Sequence, residues 1–145
     1  MSENYTYHYK KKLNYSKEKI YKIIFNKIIS EFPKYNQEKN PFPSRRSELV
    51  GYNNKSEYYE IKLEDYNKDD FIIITSQTGI NKYITRYEFH DINENMCEIH
   101  ILEKMESTSK RVSMNYSFMS FFIKLGKKNR WNQFIKWIET ELSYC

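Results

Sequence analysis

Apolar and polar side chains alternate over much of the first two thirds of the chain, with the period of two that is typical of strands with one buried face. At the N-terminus, four apolar residues share one face: Tyr5, Tyr7, Tyr9 and Leu13. Five further segments have strand-like patterns, and they are 49–53, 59–64, 71–76, 83–89 and 97–105. Turn-forming residues, chiefly Asn, Asp and Gly, stand between them. The sequence therefore predicts one N-terminal strand and a later group of five antiparallel strands.

A helical period replaces this alternation after the first strand. Ser16 has the residue type of an N-cap, whose hydroxyl accepts a hydrogen bond from a first-turn amide. The apolar residues that follow recur at helical spacing, namely Ile20, Ile23, Ile24, Ile28 and Ile29. Pro33 ends this pattern because proline has no amide hydrogen and clashes with the preceding turn. We therefore predict a helix over 17–32, followed by a loop over 33–47 that holds all three prolines.

A long helix is predicted at the C-terminus. In its second half one face is apolar, with Trp131, Phe134, Ile135, Ile138 and Leu142. In its first half the apolar residues fall on nearly the opposite side, as Phe118, Phe121, Phe122 and Leu125. A kink at Gly126 would bring the two faces together, because glycine weakens a helix. The order of strand, helix, five strands and long helix indicates an α+β fold in one domain over 1–145.

Positive charge is concentrated in this terminal segment. The whole chain has a formal net charge of +5. Between Ser107 and Ile138 there is no Asp or Glu, while seven basic residues occur: Lys110, Arg111, Lys124, Lys127, Lys128, Arg130 and Lys136. The remainder of the chain therefore has a formal net charge of −2, the difference between +5 and +7. A basic segment of this kind favours acidic partners without naming one.

Composition narrows the cellular context. The longest apolar runs are far shorter than the ~20 residues that a membrane-spanning helix needs. The first six residues lack the apolar core of a secretory signal. Cys97 and Cys145 are too few for a disulfide framework. We therefore expect a cytoplasmic protein.

Two segments point to a family. The first is Leu13-Asn14-Tyr15-Ser16-Lys17-Glu18, where the first helix begins. The second starts at Glu106-Ser107-Thr108-Ser109-Lys110-Arg111, continues as Asn115-Tyr116-Ser117-Phe118-Met119-Ser120-Phe121 and ends at Lys127-Lys128-Asn129-Arg130. Together they resemble the bacterial family called domain of unknown function 3284, in the START-like (SRPBCC, helix-grip) superfamily. The resemblance extends over nearly the whole chain.

This resemblance implies a fold and a mode of action. The fold is a curved antiparallel sheet of about six strands wrapped on the long C-terminal helix, with the other helix after the first strand. A cavity between sheet and helix is also implied, which in related proteins holds lipids or other apolar molecules. No activity is assigned to the family, so the resemblance implies no catalytic residue.

The inward faces of the strands supply candidate walls for such a cavity: Tyr59, Ile61, Ile72, Ile74, Tyr83, Tyr87, Ile99, Ile101 and Glu103, closed by Phe118, Met119 and Phe122. Glu103 is the carboxylate among them, and an unpaired carboxylate is costly to bury. One interpretation makes it a ligand anchor or a general acid. The other places it at the cavity mouth or pairs it with Lys or Tyr. The tyrosine hydroxyls either orient a ligand or belong to residues that simply pack.

Other chemistry has weaker support in the sequence. His8, His90 and His100 form no pair with metal-ligand spacing and are expected to be surface residues, so no metal site is predicted. Cys97 is expected to pack as a small hydrophobic residue. A chain with three glycines has no glycine-rich phosphate loop. We predict no cofactor.

The predicted basic surface of the terminal helix consists of Lys124, Lys127, Lys128 and Arg130. One interpretation is the solvated face of a packed helix. Another is contact with an anionic membrane, made together with neighbouring aromatic residues. The same aromatic residues would suit a homodimer. Nucleic-acid binding ranks last, because the exposed strand faces are mixed in charge, whereas single-strand binders place aromatic residues beside basic grooves.

These observations favour a protein that binds a small apolar or amphipathic molecule without catalysis. One alternative is an enzyme of the cyclase or hydratase type on the same fold, with Glu103 as its acid–base group. The other is an interaction module that dimerises or docks on membranes. A cavity with converging polar groups would favour the enzyme, and a filled core would favour the interaction module. The sequence leaves the choice open because a fold does not fix a function.

Overall fold

The computed structural model of the protein describes residues 5–50, 56–78, 81–107 and 128–144. The described strands are β1 Tyr7–Leu13, β2 Ser44–Val50, β3 Ser56–Asn67, β4 Phe71–Thr78, β5 Asn81–Asn93 and β6 Met96–Ser107. Helix α1 is Lys17–Ser30, and helix α2 is described over 128–143. The order of strand, helix, five strands and C-terminal helix confirms the prediction from the sequence.

The strands form one antiparallel sheet in the order β1-β6-β5-β4-β3-β2. Strands β2 to β6 follow one another as a meander, and β1 pairs with the far edge of β6. The register shifts between Leu63 and Asp65 in β3 and between Asp91 and Asn93 in β5. Irregularities of this kind bend a strand and increase its twist, so the long strands can curve around the helices. The helix-grip architecture expected from the resemblance is therefore confirmed.

The second strand begins earlier than predicted. The sequence pattern predicts a loop over 33–47 and a strand from Leu49, but β2 begins at Ser44. Residues 44–47 do not alternate, so no pattern marks them as a strand. Pairing with β3, from Ser44 opposite Lys62 onward, supplies partners for their backbone groups instead. The predicted end of this strand, at 51–53, lies outside the described residues.

The core lies on one face of the sheet, which we call the inner face because both helices cover it. Its central residues are Tyr87 and Phe89 of β5 and Ile99 and Ile101 of β6, all of them buried. Tyr9 of β1 extends the row that Tyr87 and Ile101 form across the strands. The residues between them point to the opposite, outer face. The alternation in the sequence thus separates a buried side from a solvent-facing side, as predicted.

Helix α1 covers one end of the inner face. The Ser16 hydroxyl accepts a hydrogen bond from the Lys19 amide at 3.3 Å, which confirms it as the N-cap. On the apolar side of the helix, Ile20 is 0% exposed. The Tyr21 ring meets Phe89 of β5 edge to face, with 5.2 Å between centroids. The isoleucine pattern in the sequence therefore marks the face that packs on the sheet.

Helix α2 covers the middle of the inner face with the apolar residues predicted for it. Three of them are buried, namely Ile135, Ile138 and Leu142. The Trp131 ring meets Tyr87 edge to face, with 5.9 Å between centroids. The Tyr9 hydroxyl donates a hydrogen bond to Asn132 Oδ1 at 2.6 Å. Helix α2 is therefore fixed on the sheet by both apolar contacts and a polar one.

Candidate functional site

The residues predicted to line a cavity divide into two groups. The first group lies in the hydrophobic core and consists of Ile72, Ile99, Ile101 and Tyr87. Tyr87 lies between the sheet and α2, where its ring contacts Trp131 and Phe134. This part of the inner face is therefore packed against the protein itself.

The second group lies further along the same face, is partly exposed, and consists of Ile61, Ile74, Tyr83 and Glu103. Thr85, which the sequence analysis did not predict, lies among them, and we call these five residues the inner-face patch. Glu103 is opposite Thr85, and Thr85 is opposite Ile74 on the next strand. In the next row across the strands, Tyr83 of β5 is opposite Ser76 of β4, and Ser76 is opposite Ile61 of β3. Five side chains from four adjacent strands thus form one continuous surface beside the core.

Glu103 gives this patch its charge. Its Oε1 accepts a hydrogen bond from the Thr85 hydroxyl at 3.4 Å, and Tyr7 is in register with it on β1. Burial, and after it the charge of Glu103, raises the pKa of Tyr7. The same two causes raise the pKa of the buried Tyr87. A carboxylate flanked by hydroxyl groups on an otherwise apolar face can recognise a hydrogen-bond donor.

A groove of about 690 Å³ lies between α1 and the turn that connects β3 to β4. Its aromatic residues are Tyr21, Phe25, Tyr35 and Tyr66, and we call it the tyrosine groove. The hydroxyls of Tyr35 and Tyr66 are 3.4 Å apart. Burial, followed by this hydrogen bond, raises the pKa of Tyr66 to about 12. Sequence reasoning missed the groove because Tyr35 stands in the proline-containing segment, where no periodicity marks a face.

The outer face of β5, β6 and β1 brings the three histidines together. His8 Nε2 lies 2.9 Å from His100 Nδ1, and the rings of His90 and His100 are 4.1 Å apart between centroids. His100 Nε2 lies 2.7 Å from Glu98 Oε1, and His90 Nε2 lies 3.0 Å from Glu88 Oε1. We call these five residues the histidine cluster. The three histidines lie on the solvent-facing side of the sheet, as expected for surface residues. The sequence did not predict that they meet, because strand register makes neighbours of residues that are far apart in the sequence.

Both carboxylates of the histidine cluster are held in the ionised form. The hydrogen bond with His100 lowers the pKa of Glu98. Burial acts to raise the pKa of Glu88, but hydrogen bonds with Arg86 and His90 outweigh it, so this pKa is lowered. The Arg86 Nε atom donates to Glu88 Oε2 at 2.7 Å, which leaves Oε1 facing His90. The cluster therefore combines imidazole nitrogens with carboxylates that are charged at neutral pH.

Cys97 takes no part in any of these sites. It is 0% exposed, on the inner face beside α1. Burial raises the pKa of its thiol to about 11, so the reactive thiolate is disfavoured at neutral pH. The prediction that it packs as a small hydrophobic residue is confirmed.

Several residues of the predicted sites lie outside the described part of the chain. These are Phe118, Met119, Phe122, Lys124, Gly126 and Lys127. Tyr59 belongs to β3, but its side chain is also outside the described part. Two residues of the predicted basic surface, Lys128 and Arg130, belong to the described part of α2, and both are exposed. In the described ranges, no helix combines the length and the apolar character needed to cross a bilayer.

The sheet order and the position of α2 define an α+β protein of the helix-grip class. A conserved protein from Geobacillus kaustophilus matches it with a TM-score of 0.55 at 12% identity, over 92% of this chain and 94% of that protein. A protein from Thermus thermophilus matches with a TM-score of 0.52 at 9% identity, over 81% of this chain and 85% of that protein. The Zhui aromatase/cyclase from a Streptomyces species matches with a TM-score of 0.50 at 7% identity, over 71% of this chain and 68% of that protein. Identities this low show a common fold and nothing more.

The sequence itself shows the family. Residues 8–124 match the model of the family described as Domain of unknown function (DUF3284). The chain belongs to this family, as the resemblance indicated. A comparison with the curated proteins finds no match.

Proposed function

We propose that the protein binds a small amphipathic molecule on the inner-face patch, beside the core that α2 covers, without transforming it. One observation carries this proposal. The inner face is apolar around Tyr87, but the next row places the Glu103 carboxylate and the Thr85 hydroxyl 3.4 Å apart, partly buried. Small-molecule sites typically have this composition, in which apolar walls surround a few placed polar groups.

The chemistry of the patch indicates what kind of molecule fits. Ile61 and Ile74 offer aliphatic surface, and Tyr83, which is 41% exposed, offers an aromatic ring. The carboxylate of Glu103 is an acceptor that strongly favours a charged donor. A ligand with an apolar body and an ammonium or hydroxyl group is therefore favoured over one that ends in a carboxylate.

Binding without catalysis is the simpler function for these residues. General acid–base chemistry usually needs two titratable groups whose environments push their pKa values apart. The titratable side chains described in and beside the patch, apart from Glu103, include the tyrosines Tyr7, Tyr83 and Tyr87. Burial and the charge of Glu103 raise the pKa of Tyr7 and of Tyr87, away from the near-neutral range that general acids and bases use. The likeness to an aromatase/cyclase keeps an enzymatic alternative open to test, with Glu103 as its acid–base group.

A competition experiment tests this proposal. An environment-sensitive apolar dye is titrated into the protein and then displaced with dodecylamine, dodecanol or dodecanoate. We expect saturable dye binding and displacement in the order amine, alcohol, carboxylate. Glu103→Gln keeps the size of the side chain but removes its charge, so it should weaken the amine at least tenfold and leave the alcohol nearly unchanged.

Two matched substitutions locate the binding site. Ile74→Trp fills the inner-face patch, whereas Gln37→Trp fills the tyrosine groove, which Gln37 lines. We expect the first to abolish dye binding and the second to leave it unchanged, with circular dichroism confirming that both variants fold. Absence of saturable binding would overturn the proposal, and loss of binding in Gln37→Trp alone would move the site to the groove. A change in the mass of a bound molecule that requires Glu103 would instead establish an enzyme.

A further inference from the structure

We propose that the histidine cluster is a site for a divalent cation of the zinc class, with Glu88, His90 and His100 as ligands. The site lies on the outer face of the sheet, so it does not depend on the ligand proposed for the inner face. It rests on three observations, which are the placement of the ligands by strand register, the distances among their ligand atoms, and the contacts that orient them.

Strand register places His100 at the centre of a grid of nine outer-face residues. Along β6 its neighbours on this face are Glu98 and Leu102. Across the sheet it is opposite Glu88 of β5 and Lys10 of β1. The remaining positions are occupied by Arg86, His90, His8 and Lys12. Side chains on the same face of adjacent strands are close enough to interact directly and diagonally, so ligands that are distant in the sequence converge here.

The ligand atoms of Glu88, His90 and His100 all lie within 4.8 Å of one another. One pair, His90 Nε2 and Glu88 Oε1, is separated by 3.0 Å. In a tetrahedral zinc site with bonds of about 2.0–2.1 Å, ligand atoms are about 3.3 Å apart. Small rotations of partly exposed side chains can bring the third ligand to that distance. The sheet therefore holds the three side chains within reach of one zinc ion, with one pair of ligand atoms close to the required distance.

Residues outside the proposed coordination shell orient Glu88 and His100. Arg86 binds Oε2 of Glu88 and is itself placed over the Phe71 ring, 4.4 Å from its centroid. This leaves Oε1 of Glu88 directed at His90. The nitrogens of His100 are in contact with His8 and Glu98. An ion that takes one nitrogen leaves the other bonded to its partner, which is how outer-shell groups fix the ring of a metal-binding histidine.

The donor atoms select the class of metal. Two imidazole nitrogens and one carboxylate oxygen suit Zn²⁺ and its first-row neighbours, whereas Mg²⁺ and Ca²⁺ prefer oxygen ligands alone. The nearby cations Lys10, Lys12 and Arg86 oppose an incoming ion, while the charges of Glu88 and Glu98 attract it. His90 is 51% exposed at its side chain, so an ion can enter from solvent. Three protein ligands leave a fourth position for water.

Titration with the metal itself tests the proposal. The protein is prepared without a polyhistidine tag and in a Cys145→Ser background, which removes a terminal thiol that could bind zinc. Isothermal titration with Zn²⁺ should show one site per chain, and Co²⁺ should give the visible absorption of a low-coordinate complex with nitrogen ligands. Because the ion binds the folded chain, Zn²⁺ should also raise the melting temperature, whereas Mg²⁺ should not.

Single substitutions then assign the ligands. His100→Gln, His90→Asn and Glu88→Gln should each weaken Zn²⁺ binding by more than about 100-fold, beyond the 10–100-fold loss expected for an outer-shell residue. Glu139→Gln, on the exposed side of α2, is the matched control and should leave the affinity unchanged. Circular dichroism checks that each variant folds, and the imidazole signals in nuclear magnetic resonance spectra report on ligation independently of stability. One-site binding that survives in His90→Asn and His100→Gln, or no binding by the folded wild type, would overturn the assignment.

Discussion

The inner and outer faces of β5, β6 and β1 belong to the same three strands, yet they are built from different interactions. On β6, Ile99 and Ile101 are 0% exposed beneath the helices, while His100 between them faces outward in a network of charges. Ile99 and Ile101 belong to the hydrophobic core, where they pack among other apolar side chains. The outer ones make directional contacts at 2.7 to 3.0 Å among imidazoles and carboxylates.

This difference separates the buried residues that stabilise the fold from the residues proposed to bind a metal ion. Burial of a large aliphatic side chain contributes about 1.5–3 kcal/mol, whereas exposed ion pairs contribute about 0–1 kcal/mol. We therefore expect the inner face to supply most of the free energy of unfolding. The outer face can carry titratable and metal-binding groups without endangering the fold, because little stability depends on it.

The largest expected effect comes from the centre of the inner face. Ile101→Ala leaves a cavity between Tyr9 and Tyr87, which flank it in the sheet. We expect a loss of about 2–5 kcal/mol in the free energy of unfolding, measured by urea denaturation. Leu102→Ala removes a side-chain portion of the same size from the next residue, on the outer face, and should cost less than half as much because Leu102 is partly exposed. Equal losses in the two variants would contradict the division between the faces.

A smaller effect is expected where the inner face meets α2. Tyr9→Phe removes the hydroxyl that donates to Asn132 Oδ1, and should cost about 1 kcal/mol. A double-mutant cycle with Asn132→Ala should recover most of that value as coupling energy. Tyr144→Phe is the control, because Tyr144 is 83% exposed and its hydroxyl should matter little. Coupling near zero would mean that apolar contacts alone hold α2 on the sheet.

The smallest effect is the pH dependence of the outer face. Burial, followed by the charges of His100 and Lys10, lowers the pKa of His8, against the attraction of Glu88 and Glu98. The unfolded chain then binds this proton more readily than the folded chain. The contribution of His8 to stability is therefore fully present above about pH 6.5 and is lost as the pH falls below that value.

A comparison of pH profiles checks this sign. In His8→Asn the loss of stability between neutral and mildly acidic pH should be smaller than in the wild type by a few tenths of a kcal/mol, since solvent screens an exposed group. High salt should shrink the difference further. A loss in His8→Asn that equals or exceeds the loss in the wild type would contradict this sign.

Much of the fold could be predicted from local pattern. The alternation in 97–105 predicts which residues of β6 are buried, and Ile99 and Ile101 confirm it. Ser16 and the spaced isoleucines predict α1 because capping and helical periodicity involve residues a few positions apart. The start of β2 could not be predicted, since Ser44 gains its partner from β3 and not from its own neighbours.

The candidate sites depended more strongly on contacts across the fold. The sequence identified Glu103 as an unusual carboxylate on the inner face, and it does lie there, in contact with Thr85. No local pattern indicates that Tyr35 and Tyr66 meet across a groove. The same is true of His8 and His100, which are 92 positions apart and in contact.

The sequence by itself therefore determined the alternation of buried and exposed residues, the capped helix and the family, because each of these depends on residues close together in the sequence or on recognisable motifs. Only the tertiary structure decided which outer-face residues became neighbours. The pairing of β1 with β6 joins the first and last described strands of the chain, and a shift of that register by one residue would move every side chain of β1 to the other face. His8 meets His100 through this register, which the residues of each strand alone do not specify.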